Sequence, residues 1–265
     1  MFLFYCYEVI TIKYSEELNT AISLAKKAGR KILKYYHAIN AIKYKEDESP
    51  VTQADLAADN IIVNGLKTQF PSYGILSEES LKETDKKYLW VIDPLDGTKE
   101  FINKKGEFTV NIALTQNENP VLGVIYLPVK NEIYFAIKNN GAYYDDKKIN
   151  VSDKKKISEM TLVKSRSHSD KRINLIEKDF KKVIKKGSSL KGCMIARGDA
   201  DAYIRITPIN IWDICAMDLI VCEAGGILTD LNGKRISPRD RLINGCIVSN
   251  NTIHDKILQR VKEID

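Results

Sequence analysis

Apolar residues at Leu18, Ile22, Ala25, Ala28, Ile32 and Tyr35 recur at the three- and four-residue spacing of one helix face. Ser15, with Glu16 and Glu17 behind it, supplies a start signal, so the pattern predicts an amphipathic helix from Ser15 to about Ala38. A charged loop, "KYKEDESP", follows. The run "VTQADLAADNIIVNGLKTQF" then predicts a second helix, opened by Thr52 and closed before Pro71. After "PSYGILSEES" the period shortens, and "YLWVID", "FTVNIALTQ", "PVLGVIYLP" and "EIYFAIKNNGAYYDD" read as successive strands of one sheet, parted by Gly, Pro and Asn. From about Val151 the pattern resets: "MTLVKSR" predicts a strand, "KRINLIEKDFKKVIKK" a helix, "KGCMIARG" a strand and "AYIRI" an extended segment. A helical run, "DICAMDLIVCEAGG", precedes the tail "GCIVSN". Helices, then an antiparallel sheet, then mixed helix and strand predict a layered α/β (α+β) sandwich in two halves. The halves are residues 14–150 and 151–265, behind an extension of residues 1–13.

Composition narrows the function classes. With 265 residues, 44% of them hydrophobic, the chain can bury a real core. Its formal charge of +6 rests on lysine, much of it between Lys154 and Lys191. Such an excess attracts nucleic acid or small anions, but it also describes an ordinary solvated helix face. The aromatic residues are not interleaved with the basic ones, so the stacking platforms of a single-strand binder are missing. Five cysteines, Cys6, Cys193, Cys215, Cys222 and Cys246, form no C-x-x-C pair and read as buried thiols of a reducing compartment. His37, His168 and His254 have no zinc spacing. The apolar start, "MFLFYCYEVITIKY", lacks a basic n-region and a cleavage site and is too short to span a bilayer, which predicts a cytoplasmic protein with no membrane partner.

The candidate chemistry lies in "WVIDPLDGTKEF", residues 90–101. Pro94 cannot continue a ladder, so Asp93 and Asp96 are expected on a rigid turn at a strand end. Gly97 and Thr98 follow, with Lys99 able to begin a helix whose first amides face an anion. Carboxylates plus the Leu95 carbonyl suit Mg²⁺; an Asp-Pro-x-Asp-Gly turn with capping aspartates is an equally ordinary reading. Glu78 and Glu79, Asp213 ahead of an apolar helix, and Asp55 in the second helix each also have a bland explanation.

Taken in order, Asp55, Glu78 and Glu79, "DPLDGT" and "WDICA" resemble the metal-binding signature of the lithium-sensitive, Mg²⁺-dependent phosphatases of the inositol monophosphatase superfamily, from about Ser15 to the C-terminus. The resemblance implies the layered αβαβα sandwich shared with fructose-1,6-bisphosphatase. It implies one metal held by Glu78, Asp93 and the Leu95 carbonyl, a second held by Asp93, Asp96 and Asp213, and a third where Asp55 contributes. Thr98 would orient the attacking water and Asp55 accept its proton, so Asp55, Thr98 and Glu78 are the implied catalytic residues. The Gly97 and Thr98 amides would cradle the phosphate beside Asp96 and Asp213. Met217 departs from the pattern, which has glycine there, and bears on helix packing rather than on the ligands.

Within the superfamily three stretches resemble the bacterial 3'(2'),5'-bisphosphate nucleotidases: "DGTKEFI" with "GEFTVNIAL", "KSRSH" at 164–168, and "GSSLKGCMIARGDADAYIRITPINIWD" at 187–213. The implied substrate is adenosine 3',5'-bisphosphate. Ser165, Arg166, Ser167, His168, Ser188, Lys191 and Arg205 are the expected donors to its second phosphate. An inositol monophosphatase or broad sugar-phosphate phosphatase is the alternative, and a noncatalytic anion- or nucleic-acid-binding protein the alternative of another class. A small-molecule ester rather than nucleic acid is the expected partner, and a homodimer is compatible with the family.

Overall fold

The computed structural model describes residues 13–38, 42–44, 50–80, 82–167 and 170–264. Cys6, the extension and His168 lie outside them. The first helix, α1 (Ser15–Ala38), has the predicted bounds, and Ala21, Ala25, Ala28 and Ile32 on its apolar face are fully buried. A two-stranded ribbon, β1 (Ile42–Tyr44) and β2 (Pro50–Thr52), leads into α2 (Gln53–Gln69). The large sheet follows: β3 (Gly74–Ser77), β4 (Lys82–Glu83), β5 (Tyr88–Asp96), then, after the short helix α3 (Thr98–Ile102), β6 (Thr109–Gln116), β7 (Asn119–Leu127), β8 (Glu132–Ile137), β9 (Gly141–Tyr144) and β10 (Lys147–Ile149). Its order is β10-β9-β8-β7-β6-β5-β3-β4, antiparallel except for β3 beside β5.

The second half contributes β11 (Thr161–Ser165), α4 (Ile173–Ile176), β12 (Lys182–Lys186), α5 (Leu190–Ala196), β13 (Ala202–Arg205), β14 (Ile209–Asn210), α6 (Ile211–Glu223), β15 (Gly226–Thr229), β16 (Leu242–Ile243), β17 (Cys246–Asn250) and α7 (His254–Lys262). Five of these strands form a second sheet in the order β12-β11-β13-β17-β15.

Three apolar clusters define the layers. One joins α1 and α2 to one face of the large sheet through Trp90, Ile92, Ile112 and Val124. The next fills the space between the two sheets with α5 and α6, against Leu89, Val91, Ala113 and Ile125 of the first and Val163, Tyr203 and Val248 of the second. The last seats α4 and α7 on the outer face of the second sheet. Helix, sheet, helix, sheet, helix is the αβαβα sandwich. Strand β5 is buried on both faces, which explains its unbroken apolar run.

Two predictions fail in the second half. The expected helix "KRINLIEKDFKKVIKK" is one turn of α4, a 3₁₀ turn (Glu177–Asp179) and then β12, which pairs in parallel with β11. Lysines decorate this edge strand, a common defence against edge-to-edge pairing, and their spacing imitated a solvated helix face. The expected strand "KGCMIARG" is α5, whose Leu190, Cys193 and Ala196 face the central core at helical spacing.

Candidate active site

Strand β5 does not stop at Pro94. It runs on to Asp96, but its register on β6 slips: Asp93 pairs with Asn111 and Asp96 with Thr109, so one extra residue is accommodated at Pro94–Leu95. Proline, without an N–H, is tolerated where the ladder is broken in this way. The expected turn is therefore a bulge, and the bulge changes which side chains share a face. In a regular strand residues three apart point to opposite faces. One extra residue reverses that. Leu95 joins Trp90 and Ile92 in the core under α1 and α2, and Asp96 comes to the side of Asp93.

Asp213 completes the group from the first turn of α6, where its Oδ2 accepts the Asn210 backbone N–H at 3.3 Å. One carboxylate oxygen from each of Asp93, Asp96 and Asp213 lies within 4.8 Å of the others. Asp93 is 1% exposed. Its Oδ1 accepts the Leu95 N–H at 3.0 Å, while its buried Oδ2 has no hydrogen-bond partner. Burial, and then the charges of Glu78, Asp96 and Asp213, raise the Asp93 carboxyl well above the usual carboxylate range. Burial and Asp96 push Asp213 up to about 7, against the opposing pull of Arg205.

An orphaned oxygen and crowded carboxylates form a site that a hard divalent cation satisfies. Glu78, directly after β3, anchors its N–H on the Ile92 carbonyl at 3.2 Å and lines the same cleft. The Leu95 carbonyl accepts the Thr98 hydroxyl at 3.3 Å, bringing two further predicted oxygens together. The donor set therefore fits Mg²⁺.

Asp96 has a cradle that the sequence reading missed. Its Oδ2 accepts the Ser189 N–H at 2.5 Å, the Ser189 hydroxyl at 2.7 Å, the Asn111 amide at 3.3 Å and the Thr109 hydroxyl at 3.4 Å. Asn111 also reaches Ser189 Oγ at 2.9 Å, and all three supporting residues are buried. The available signal was a polar residue at an inward position of an apolar strand, Asn111 in "TVNIAL".

A cleft of about 670 Å³ opens over the acids. Its lining includes Glu78, Asp93, Leu95, Asp96, Gly97, Thr98, Ser165, Ser167, Ser188, Lys191, Arg205 and Asp213. Gly97 has a φ of +91°, and a Cβ there would lie 3.1 Å from the Glu107 carbonyl and 3.2 Å from Ser188 Cβ. Lys191 is 6% exposed; its ammonium is bonded to the Ser188 carbonyl and lies 5.1 Å from the Tyr203 ring centroid. Burial lowers its affinity for a proton, and Asp96 acts against that shift. The Arg205 guanidinium is braced by the carbonyls of Thr207, at 3.2 Å, and Pro208, at 2.6 Å. Trp212, unpredicted, also lines the cleft and has a buried indole N–H with no partner.

Arg166 does not line the cleft, because Glu107 holds its guanidinium by two bonds of 3.0 and 3.1 Å. Asp55 is buried in the first turn of α2, and β2, which leads into that helix, packs on α3, the helix that Thr98 opens. Met217 is explained by its neighbour: a Cβ on Gly192 of α5 would lie 2.1 Å from Met217 Cγ. The small residue needed for close helix packing stands on α5 instead of α6.

The profile of the Inositol monophosphatase family matches residues 13–265. The 3'(2'),5'-bisphosphate nucleotidase CysQ of Salmonella typhimurium is 39% identical over 242 residues, covering 86% of this chain and 96% of that protein. The crystal structure of CysQ from Bacteroides thetaiotaomicron, described as a bacterial member of the inositol monophosphatase family, is 34% identical with a TM-score of 0.78, covering 91% of this chain and 99% of its own. A Thermotoga maritima IMPase superimposes with a TM-score of 0.86 at 31% identity, covering 94% and 98% of the two chains.

Proposed function

The chain belongs to the inositol monophosphatase family of phosphatases, whose members are typically metal-dependent, and from that premise we propose that it is a Mg²⁺-dependent 3'(2'),5'-bisphosphate nucleotidase. It removes the 3'-phosphate of adenosine 3',5'-bisphosphate, giving AMP and phosphate, and 3'-phosphoadenosine 5'-phosphosulfate, which carries the same 3'-phosphate, is a second substrate. The observation that carries this reading is that the crowded carboxylates share one cleft with two cations, Lys191 and Arg205, and with three serine residues. A monophosphate needs only the carboxylate cluster. A second phosphate or sulfate needs cations and donors of its own.

In this reading Glu78, Asp93 and the Leu95 carbonyl hold one cation, and Asp93, Asp96 and Asp213 hold another. Bound Mg²⁺ would lower the pKa of a coordinated water and neutralise charge on the transferred group. Ser189, Asn111 and Thr109 fix Asp96 through Oδ2, keeping Oδ1 for ligation. Thr98 orients the attacking water through its hydroxyl. Asp55 takes the proton relayed by Thr98 once that hydroxyl turns away from the Leu95 carbonyl. The Gly97 and Thr98 amides face the transferred phosphate, as the first amides of a helix do. Water adds to phosphorus as the bond to the ribose 3'-oxygen breaks, and that oxygen takes a proton from a solvent water, while Asp55 returns its own to solvent after the turnover. The residues thus supply positioning and charge stabilisation, which phosphoryl transfer requires.

The test is Mg²⁺-dependent phosphate release from adenosine 3',5'-bisphosphate and from inositol 1-phosphate at equal concentration. Preference for the nucleotide supports the reading. Preference for inositol 1-phosphate would favour an inositol phosphatase, the activity to which the similarity to the Thermotoga IMPase points.

A further inference from the structure

Glu107 sits in the loop between α3 and β6, in the first half of the chain, yet its carboxylate is bonded entirely to the second half. Oε1 accepts Arg166 Nη2 at 3.1 Å and Lys186 Nζ at 2.9 Å. Oε2 accepts Arg166 Nε at 3.0 Å and the Gly187 N–H at 3.0 Å. Two donors on each oxygen satisfy an ionised carboxylate. The side chain is only 13% exposed, so these bonds are partly shielded from water.

The donors sit at the ends of two parallel neighbours, β11 and β12, where the Arg166 N–H also bonds the Lys186 carbonyl at 3.0 Å. These ends continue directly into the cleft wall: Ser165 and Ser167 flank Arg166, and Ser188 follows Gly187. The main chain of Glu107 lies at the same junction. Its carbonyl would be 3.1 Å from a Cβ on Gly97 and 2.8 Å from one on Gly187. One residue therefore fixes how the Gly97 turn and the Ser188 end of the serine segment meet.

We propose that Glu107 is a specificity-determining positioning residue: it holds the wall that contacts the part of the substrate beyond the transferred phosphate, without touching the reacting atoms. The proposal rests on the cleft assignment of the preceding subsection. It also explains why Arg166 and Lys186 are withheld from the substrate. Both cations are consumed in bracing the wall, which leaves Lys191 and Arg205 to meet the second phosphate.

The test compares Glu107→Gln and Glu107→Ala with the wild type, using Mg²⁺ and three esters: adenosine 3',5'-bisphosphate, inositol 1-phosphate and p-nitrophenyl phosphate. Glutamine keeps the shape and an acceptor for the Gly187 N–H, so it carries the result if the alanine variant does not fold. For whichever of the first two esters the wild type prefers, KM is expected to rise roughly tenfold in Glu107→Gln, the loss attached to a charge-assisted hydrogen bond. Its kcat should stay within about twofold, and p-nitrophenyl phosphate turnover should not change. The inference is overturned by an equal loss on all three esters, by unchanged kinetics, or by a lowered KM, which would mean that released Arg166 captures the substrate. A wild-type preference for inositol 1-phosphate would refute the nucleotidase reading alone, because the Glu107 comparison is then read on that ester.

Discussion

Asp213→Asn should make the metal-free protein more stable, and by an amount that depends on pH. In the metal-free fold the Asp213 carboxyl holds its proton up to about 7, where an unperturbed aspartate releases it near 3.8. Folding therefore takes up a proton between those values. The sign follows: the fold is favoured fully below the lower value, and that stability is lost as pH rises through the higher one. At 1.36 kcal/mol per pH unit the loss is on the order of 4 kcal/mol by about pH 8. For a chain of this length that is about 10 °C in melting temperature. Asparagine cannot ionise, so in EDTA the variant should melt higher than the wild type at about pH 8, with the gap closing as pH falls toward about 4. Asp218, which burial pushes up to about 6, acts in the same direction, while His254, whose burial lowers its pKa, acts oppositely. Both are common to the two proteins and cancel in the difference. Saturating Mg²⁺ should stabilise the wild type more than the variant, since only the wild type keeps the full ligand set. Scanning calorimetry in EDTA is the assay. A gap that does not grow with pH, or a less stable variant at about pH 8, would refute the picture of unneutralised acids in the metal-free site.

Ser189→Ala should weaken Mg²⁺ activation by roughly tenfold or more, read from the Mg²⁺ dependence of turnover, because Asp96 loses the hydroxyl that orients it. Gly192→Ala should cost about 1–3 kcal/mol by forcing Met217 from its place, and Met217→Ala in the same chain should restore part of the loss in urea unfolding. Li⁺ should inhibit at millimolar-scale concentration by occupying the site of Asp96 and Asp213, as the signature implies; undiminished turnover would count against that ligand arrangement.

The parts of the fold legible in the sequence are those where local pattern and tertiary demand agree. Helix α1 has one buried face and one solvated face, so its period is visible. The β5 to β9 runs are buried and parted by turn residues, among them Asn139 and Gly141 with positive φ. Segment 171–186 misled because lysine serves a helix surface and a sheet edge equally well, and only the β11 pairing decides between them. Segment 190–196 misled because α5 lies between two sheets, where apolar residues on several sides hide a helical period.

At the site, which acids come together was legible and how they do so was not. Asp93 and Asp96 were evident, but an interval of three in a strand means opposite faces, and only the slipped register on β6 brings both carboxylates to Asp213. Arg166 looked like a phosphate ligand because its competitor, Glu107, is 59 residues away in sequence and adjacent only in the fold.

Met217 shows how the packing beneath the acids tolerates change without altering the ligands. It follows Asp213 by four residues and so lies on the same face of α6. Together with Asp96, Ser189 and Lys191 it lines a narrow space of about 20 Å³ beneath the cleft. The side chain seats over Gly192, and that contact sets how closely α5 approaches α6. The approach matters chemically, since Ser189, the residue before α5, must reach both Asp96 Oδ2 and the Asp213 carbonyl, each at 2.7 Å. A methionine in place of glycine would push these helices apart if α5 offered anything larger than glycine opposite it. Because α5 offers Gly192 there, helix spacing is kept, Ser189 stays within reach, and Asp96 keeps its orientation with methionine at 217.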